Sequence, residues 1–376
     1  MKKKKVLICL PSLSNFDGIA RVIFNYIDSN LLQRYDIDFL CVKDSIRCSK
    51  YNEIVKINNC KVYVLPENKI YNRYFKVKKY LQKYVAINRY DLVHINLIDI
   101  YSFACAKTFK KNNATVILHS HNPRFNESRK KIVNYINNIS HKNALKYSDY
   151  FFSCSDLAGK SSFGDNYKII PNKADVGKFV FSNEDRENIR KKYNINQECV
   201  VFGTVARVTE QKNPLMALEI FKKYNLKNKN SKYIWIGKGN LLEEAKKYCE
   251  KESLKDNVLF IKESDNVERY YSAFDLFLLP SKYEGFGNVF LEAQASGLLT
   301  FASNMVPKEV NLSKIIKFID LKESVEDWEL KIEKYLDEKI ENRIEFNKII
   351  KASIFSLDNK RNELKEAYDY ILEEDR

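Results

Sequence analysis

Short apolar runs alternate along this chain with stretches whose apolar residues recur every three or four positions. The runs are brief and rich in β-branched and aromatic residues. They predict strands at 5–10, 36–42, 61–65, 91–95, 114–119 and 149–154, and a second series at 199–206, 232–236, 258–261, 275–279, 298–302 and 315–319. Continuous apolar character over so few residues suits parallel strands covered on both faces. Between the runs, Ile19, Val22, Ile23, Tyr26 and Ile27 form one helical stripe, and Ala217, Ile220, Phe221 and Tyr224 form another. Strand–helix alternation of this kind builds doubly wound α/β sheets, and two series imply two such domains. The join is placed near 169–179, at IIPNKADVGKF, with a first domain at 1–175 and a second at 176–358. The final segment, 359–376, reads as a polar helix able to pack back on the first domain.

Composition adds to this picture in three places. The 376 residues suit two domains, and 45% hydrophobic residues suffice for well-formed cores. The opening MKKKKVLICLPSLSNF mimics a secretion signal, but its apolar run, 6–10, is short and ends at Pro11; a first strand with a basic lead is the better reading. No apolar run approaches the roughly 20 residues of a membrane-spanning helix. The eight cysteines contain no C-x-x-C pair and sit mostly in apolar runs, which points to reduced thiols in a cytoplasm rather than a zinc site or a disulfide frame. The net charge of +15 is uneven: residues 1–175 hold 30 Lys and Arg against 14 Asp and Glu, so the excess lies entirely in the first half. The two halves therefore meet different partners.

The chemistry concentrates in DLFLLPSKYEGFGNVFLEAQASG, residues 275–297. A strand ends at Pro280-Ser281, a loop carries Gly285 and Gly287, and a helix follows to Gly297. A glycine-bearing turn into a helix presents backbone N–H groups at a positive dipole end, which suits a phosphate. Glu284 on the loop and Glu292 on the helix can hold two hydroxyl-bearing parts of one ligand. In GTVARVTEQKNP, residues 203–214, Arg207 and Lys212 flank a loop after a strand. A bidentate fork and a mobile ammonium together recognise a diphosphate. Each piece read alone is also compatible with an ordinary loop and solvated basic residues.

Together these residues resemble the retaining family-4 glycosyltransferases of GT-B fold, in the capsular and exopolysaccharide branch. Glu284 and Glu292 match the E-x7-E signature, and Arg207 and Lys212 match the R-x4-K pair. IWIGKGNLLEEA (234–245), PNKADVGKF (171–179), FDGIARVIFNYID (16–28) and HSHN (119–122) match as well, so the likeness reaches to about residue 335. The resemblance implies two facing Rossmann-like domains with an interdomain cleft, donor mostly on the second and acceptor mostly on the first. It implies that Arg207 and Lys212 neutralise the donor diphosphate, Glu284 binds hydroxyls of the transferred sugar, Glu292 holds the ribose, and the amides of Gly287, Asn288 and Val289 cap the phosphates. It also groups Gly18 and Phe286 with the donor-binding residues. The family carries a histidine near the reacting carbon. Of the pair in VILHSHNP, His121, followed by a turn at Asn122-Pro123, is favoured over His119.

The remaining candidates read as structural. His94 and His141 are expected to be packed and hydrogen-bonded. Asp36-Ile37-Asp38 looks like a metal-holding D-x-D but opens an apolar strand. The histidines lack a third ligand at metal spacing, and a basic pair already meets the diphosphate, so no metal and no cofactor are expected. The basic, aromatic segment 70–90 reads as a helix with Tyr74, Val77, Leu81 and Tyr84 inside; no nucleic-acid-binding signature accompanies it.

The expected activity is retaining transfer of a sugar from a nucleotide donor, UDP-linked as in most of the branch, to an acceptor hydroxyl in bacterial surface polysaccharide or glycoconjugate synthesis. A polyprenyl-pyrophosphate-linked acceptor at an anionic membrane would account for the basic first half, through 70–90 and 127–138 with Lys130 and Lys131. The competing readings are a phosphorylase or a nucleotide-sugar epimerase of the same fold, and a non-catalytic partner of another transferase. Such partners tend to lose charged site residues, which this chain keeps.

Overall fold

A computed structural model describes residues 3–14, 17–43, 51–66, 73–97, 100–123, 131–336 and 342–374. The chain forms two compact units, Met1–Lys173 with Arg361–Arg376, and Ala174–Lys360. It thus changes unit at 173/174 and 360/361, where the sequence pattern placed the boundaries at 175/176 and 358/359.

The first unit contains β1 (Lys4–Ser12), β2 (Tyr35–Lys43), β3 (Val62–Val64), β4 (Leu92–Ile95), β5 (Thr115–Ser120), β6 (Tyr150–Ser153) and β7 (Lys168–Ile169). They form one parallel sheet in the order β3-β2-β1-β4-β5-β6-β7. Successive side chains on a strand point to opposite faces. Val6, Ile8 and Leu10 accordingly pack with helix Gly18–Tyr26, while Leu7 and Cys9 pack with helices Arg73–Ile87 and Ile100–Lys110. Helix Glu363–Glu374 returns to the first of these faces through Leu364, Ala367, Tyr368, Ile371 and Leu372. Lys173 and Glu363, both buried, pair at 3.2 Å where this last segment rejoins the unit.

The second unit contains β8 (Val200–Val205), β9 (Ser231–Ile236), β10 (Val258–Ile261), β11 (Leu276–Leu279), β12 (Leu299–Ser303) and β13 (Ile316–Ile319). Its parallel order is β10-β9-β8-β11-β12-β13. Phe202, Tyr233, Trp235, Leu276, Leu278 and Phe301 meet helices Pro214–Lys227 and Val325–Leu336 in its core. Both sheets reverse their order of addition beside the first strand. The crevice beyond the carboxyl ends at such a reversal is where open α/β sheets bind ligands. In the second unit it lies past β8 and β11, the strands that deliver Arg207 and Glu284.

The D-x-D lookalike is structural: Asp38 is buried, accepts from Tyr90 Oη at 2.7 Å and from the Lys61 amide at 2.8 Å, and meets Lys5 at 3.3 Å. Of the seven described cysteines six are buried, packing as small hydrophobes.

Candidate active site

The loop after β8 is held by its neighbour. Gly237 and Gly239 follow β9, and their backbones run against residues 206–208. A Cβ on either would come within 2.0 Å of the Ala206 or Val208 carbonyl oxygen. That approach lets the Val208 amide donate to the Lys238 carbonyl and the Leu241 amide donate to the Val208 carbonyl, both at 3.0 Å. Arg207 is left exposed, its guanidinium 3.4 Å from Gln211 Oε1. Gln211 ties this loop to the one after β11, donating to the Tyr283 carbonyl at 3.1 Å and accepting from the Lys282 amide at 2.8 Å.

Lys212 completes the tie. Its ammonium donates to Glu284 Oε1 at 2.5 Å, and Ser281 Oγ donates to the same oxygen at 2.6 Å. Glu284 is buried, so these bonds offset the cost of removing its charge from water. An ammonium has three donors and Glu284 takes one, which leaves Lys212 able to meet an anion as well. Helix Asn288–Ala295 opens from Gly287, whose left-handed φ of 85° turns the chain into it, with no side chain capping the end. Among the described residues the amides of Gly287, Asn288 and Val289 make no hydrogen bond, and Asn288 Oδ1 is buried without a partner. Glu292, buried one turn on, accepts from Tyr271 Oη at 2.7 Å.

In the first unit, β4 and β5 bring three histidines together. His94 Nδ1 lies 2.7 Å from Tyr368 Oη, and His94 Nε2 lies 3.0 Å from His119 Nδ1. The His119 ring centroid is 4.0 Å from that of His121. His121 Nε2 lies 2.7 Å from Asn96 Oδ1. Burial pushes His94 and His121 down to about 3 and His119 well below its usual value, so all three are neutral at pH 7. His119 is fully enclosed, whereas His121, past the strand end, is partly exposed.

Residues 185–353, most of the second unit, match the family model for glycosyl transferases group 1. The chain has the GT-B fold, and its second unit resembles the group 1 glycosyl transferases. It is 24% identical over 322 residues to an uncharacterized glycosyltransferase of Methanocaldococcus jannaschii, an alignment covering 82% of this chain and 77% of that one. It is 32% identical over 141 residues to the UDP-Gal:alpha-D-GlcNAc-diphosphoundecaprenol alpha-1,3-galactosyltransferase of Escherichia coli, with 36% of each chain covered. Its fold is also that of Anabaena HepE, solved in complex with UDP and glucose. That likeness has a TM-score of 0.78 at 14% identity and covers 97% of this chain and 99% of the other.

The structure brings Arg207, Lys212, Glu284, Gly287, Asn288, Val289 and Glu292 onto two loops and one helix at the β8/β11 reversal. Phe286, grouped with the donor-binding residues, has a buried ring that stacks on Phe355 with centroids 4.6 Å apart. Gly18 lies in the other unit and opens a helix whose end is already capped. Asp17 Oδ1 accepts from the Ile19 and Ala20 amides at 2.9 and 3.1 Å, leaving a carboxylate where an anion would sit. His119, the second histidine candidate, faces the interior and His94 rather than a surface. Sequence reasoning missed Gln211, Ser281, Tyr271 and Asn96, which carry no motif of their own. It also gave no role to Gly237 and Gly239, although G-x-G after a strand signals a close backbone approach.

Proposed function

We propose that this chain is a glycosyltransferase that moves a hexosyl group from a UDP-sugar to an acceptor hydroxyl with retained anomeric configuration, in the synthesis of a surface polysaccharide or glycoconjugate. The observation that carries the donor site is the convergence of Arg207, Lys212 and the uncapped helix start at Gly287. Two cations and a set of unused amides face one crevice, and a diphosphate is the ligand that uses all of them. In the reaction the bond from the anomeric carbon to the diphosphate breaks and one to the acceptor oxygen forms on the same face, while the acceptor hydroxyl's proton passes to an oxygen of the departing diphosphate. Charge grows on the leaving diphosphate, where Arg207, Lys212 and the helix dipole stabilise it without a metal. Glu284 takes hydroxyls of the sugar, Glu292 the ribose, and His121 orients the sugar at its reacting carbon. One relative supports the substrate class: it is named for transfer from UDP-Gal to a diphosphoundecaprenol-linked sugar.

The acceptor is proposed to be polyprenyl-pyrophosphate-linked and met at the inner face of a membrane by the basic first unit. Among the described residues no helix is long and apolar enough to cross a membrane. Two helices of that unit nevertheless show large apolar side chains to solvent. Phe75 is 69% exposed, and Ile132, Tyr135 and Ile139, at helical spacing, are 68%, 66% and 43% exposed. Apolar tips beside lysines suit the interface of an anionic bilayer. Lys130 and the side chain of Lys131 lie outside the described residues.

The test is calorimetric titration of a panel of nucleotide sugars, followed by NMR of the product formed from the one that binds. A UDP-sugar should bind in the presence of EDTA and transfer with its anomeric configuration unchanged. Inverted product, or transfer that EDTA abolishes and magnesium or manganese restores, would overturn the proposed mechanism.

A further inference from the structure

We propose that Asn96 is a positioning residue that fixes which nitrogen of His121 carries the proton. This rests on the reading above that His121 faces the sugar. Asn96 follows β4, and its own amide is tied to the Cys9 carbonyl at 3.0 Å, so its backbone is set by the sheet. The side chain is buried. Its Nδ2 points at the His94 carbonyl oxygen at 3.4 Å, and its Oδ1 lies 2.7 Å from His121 Nε2.

The orientation of that amide is not arbitrary. Flipped, Asn96 would set its own oxygen against the His94 carbonyl oxygen, two acceptors face to face. With Oδ1 toward the histidine, His121 Nε2 must be the protonated nitrogen. A neutral imidazole has one donor and one acceptor, so Nδ1 keeps its lone pair. Among the described residues Nδ1 makes no hydrogen bond, and the ring is partly exposed. A lone pair at that position accepts from a sugar hydroxyl and favours positive charge growing at the anomeric carbon. The opposite tautomer would present an N–H there and oppose it.

The ring also has a floor. Tyr368 and His119 engage both nitrogens of His94, and the His119 ring lies under His121. Tyr368 comes from the returning helix Glu363–Glu374, so the last segment of the chain buttresses this histidine from behind.

Imidazole nitrogen-15 NMR of the intact protein reads the tautomer directly, since protonated and bare ring nitrogens resonate far apart. In the wild-type protein His121 should be protonated at Nε2. In Asn96→Leu the single tautomer should give way to a mixture. Its kcat should fall by at least about tenfold, the loss of one hydrogen bond to a reacting group, while KM for the donor stays within about threefold. Asn96→Asp keeps the acceptor oxygen and should retain the Nε2 proton. Protonation of His121 at Nδ1 in the wild type would overturn the proposal, and that result needs no variant to fold. An unchanged tautomer or unchanged kcat in a folded Asn96→Leu protein would overturn it too. The role of His121 itself is tested separately by His121→Ala. Full activity there would remove the sugar-facing reading and leave the tautomer result standing.

Discussion

Lys212 bridges structure and donor recognition, and its removal should show in both. Lys212→Ala leaves Glu284 buried without its counter-ion, and breaking a buried pair costs about 3–5 kcal/mol. Its thermal midpoint should drop. Adding Glu284→Gln should recover much of that loss without restoring donor binding. Arg207→Ala, at an exposed position, should leave stability intact yet weaken donor use about tenfold to a hundredfold, the worth of one charge-assisted hydrogen bond. Denaturation scans and calorimetry on the same proteins check both. If Glu292 holds the ribose, Glu292→Ala weakens free UDP binding more than Glu284→Ala does, and the reverse order would exchange their roles. The buried histidines set a pH dependence. His94 and His119 are held neutral in the fold, so below pH 6.5 the unfolded chain binds more protons than the folded one. Their contribution is fully present above pH 6.5 and is lost as pH falls, by up to about 1.4 kcal/mol per pH unit for each group. Melting temperature should therefore fall from pH 7 to pH 5, and His94→Gln should flatten the slope. The residue types at the proposed donor site are legible because charge, glycine and spacing state their chemistry. The packing of the Phe286 ring is not, because its partner, Phe355, is remote in sequence and only the fold brings the two rings together.

At the scale of elements, the strands could be read because parallel strands buried on both faces are short continuous apolar runs. β1, β2, β4, β8, β9 and β11 lie within two residues of their expected limits. β7 has only two residues, both exposed, and carries no apolar run to read. The packing of one loop on another left a fainter trace. Gly237 and Gly239 show it only as a G-x-G, and the carbonyls they admit belong to a different strand's loop. Gly239→Ala should push residues 206–208 away. The expected outcome is weaker UDP binding together with a lower melting temperature, since the displaced segment carries Arg207 and the core residue Val208. Unchanged nucleotide affinity would mean that this bracing does not position the donor loop.

For the molecule as a whole, the sequence showed two strand series and an uneven charge, but not how the final helix joins the first unit. That depends on Tyr368 meeting His94 and on the Lys173–Glu363 pair, contacts between distant segments that no local pattern announces. The basic first half finds a use in the proposed membrane contact. The intact protein should co-sediment with anionic but not neutral vesicles and be released at high salt, because such attraction fades within a Debye length. Replacing Ile132 and Tyr135 with serine should weaken that binding and leave transfer to a short soluble acceptor unchanged. Retention on anionic vesicles without loss would move the contact elsewhere.

The central claim is that the donor's nucleoside diphosphate sits at the β8/β11 reversal of the second unit. Hydrogen exchange of the intact protein, with and without UDP, tests it most directly. The account predicts that UDP slows exchange in 206–213 and at the Gly287, Asn288 and Val289 amides, which have no partner among the described residues. Protection confined to other segments, or none at UDP concentrations that saturate binding, would contradict it.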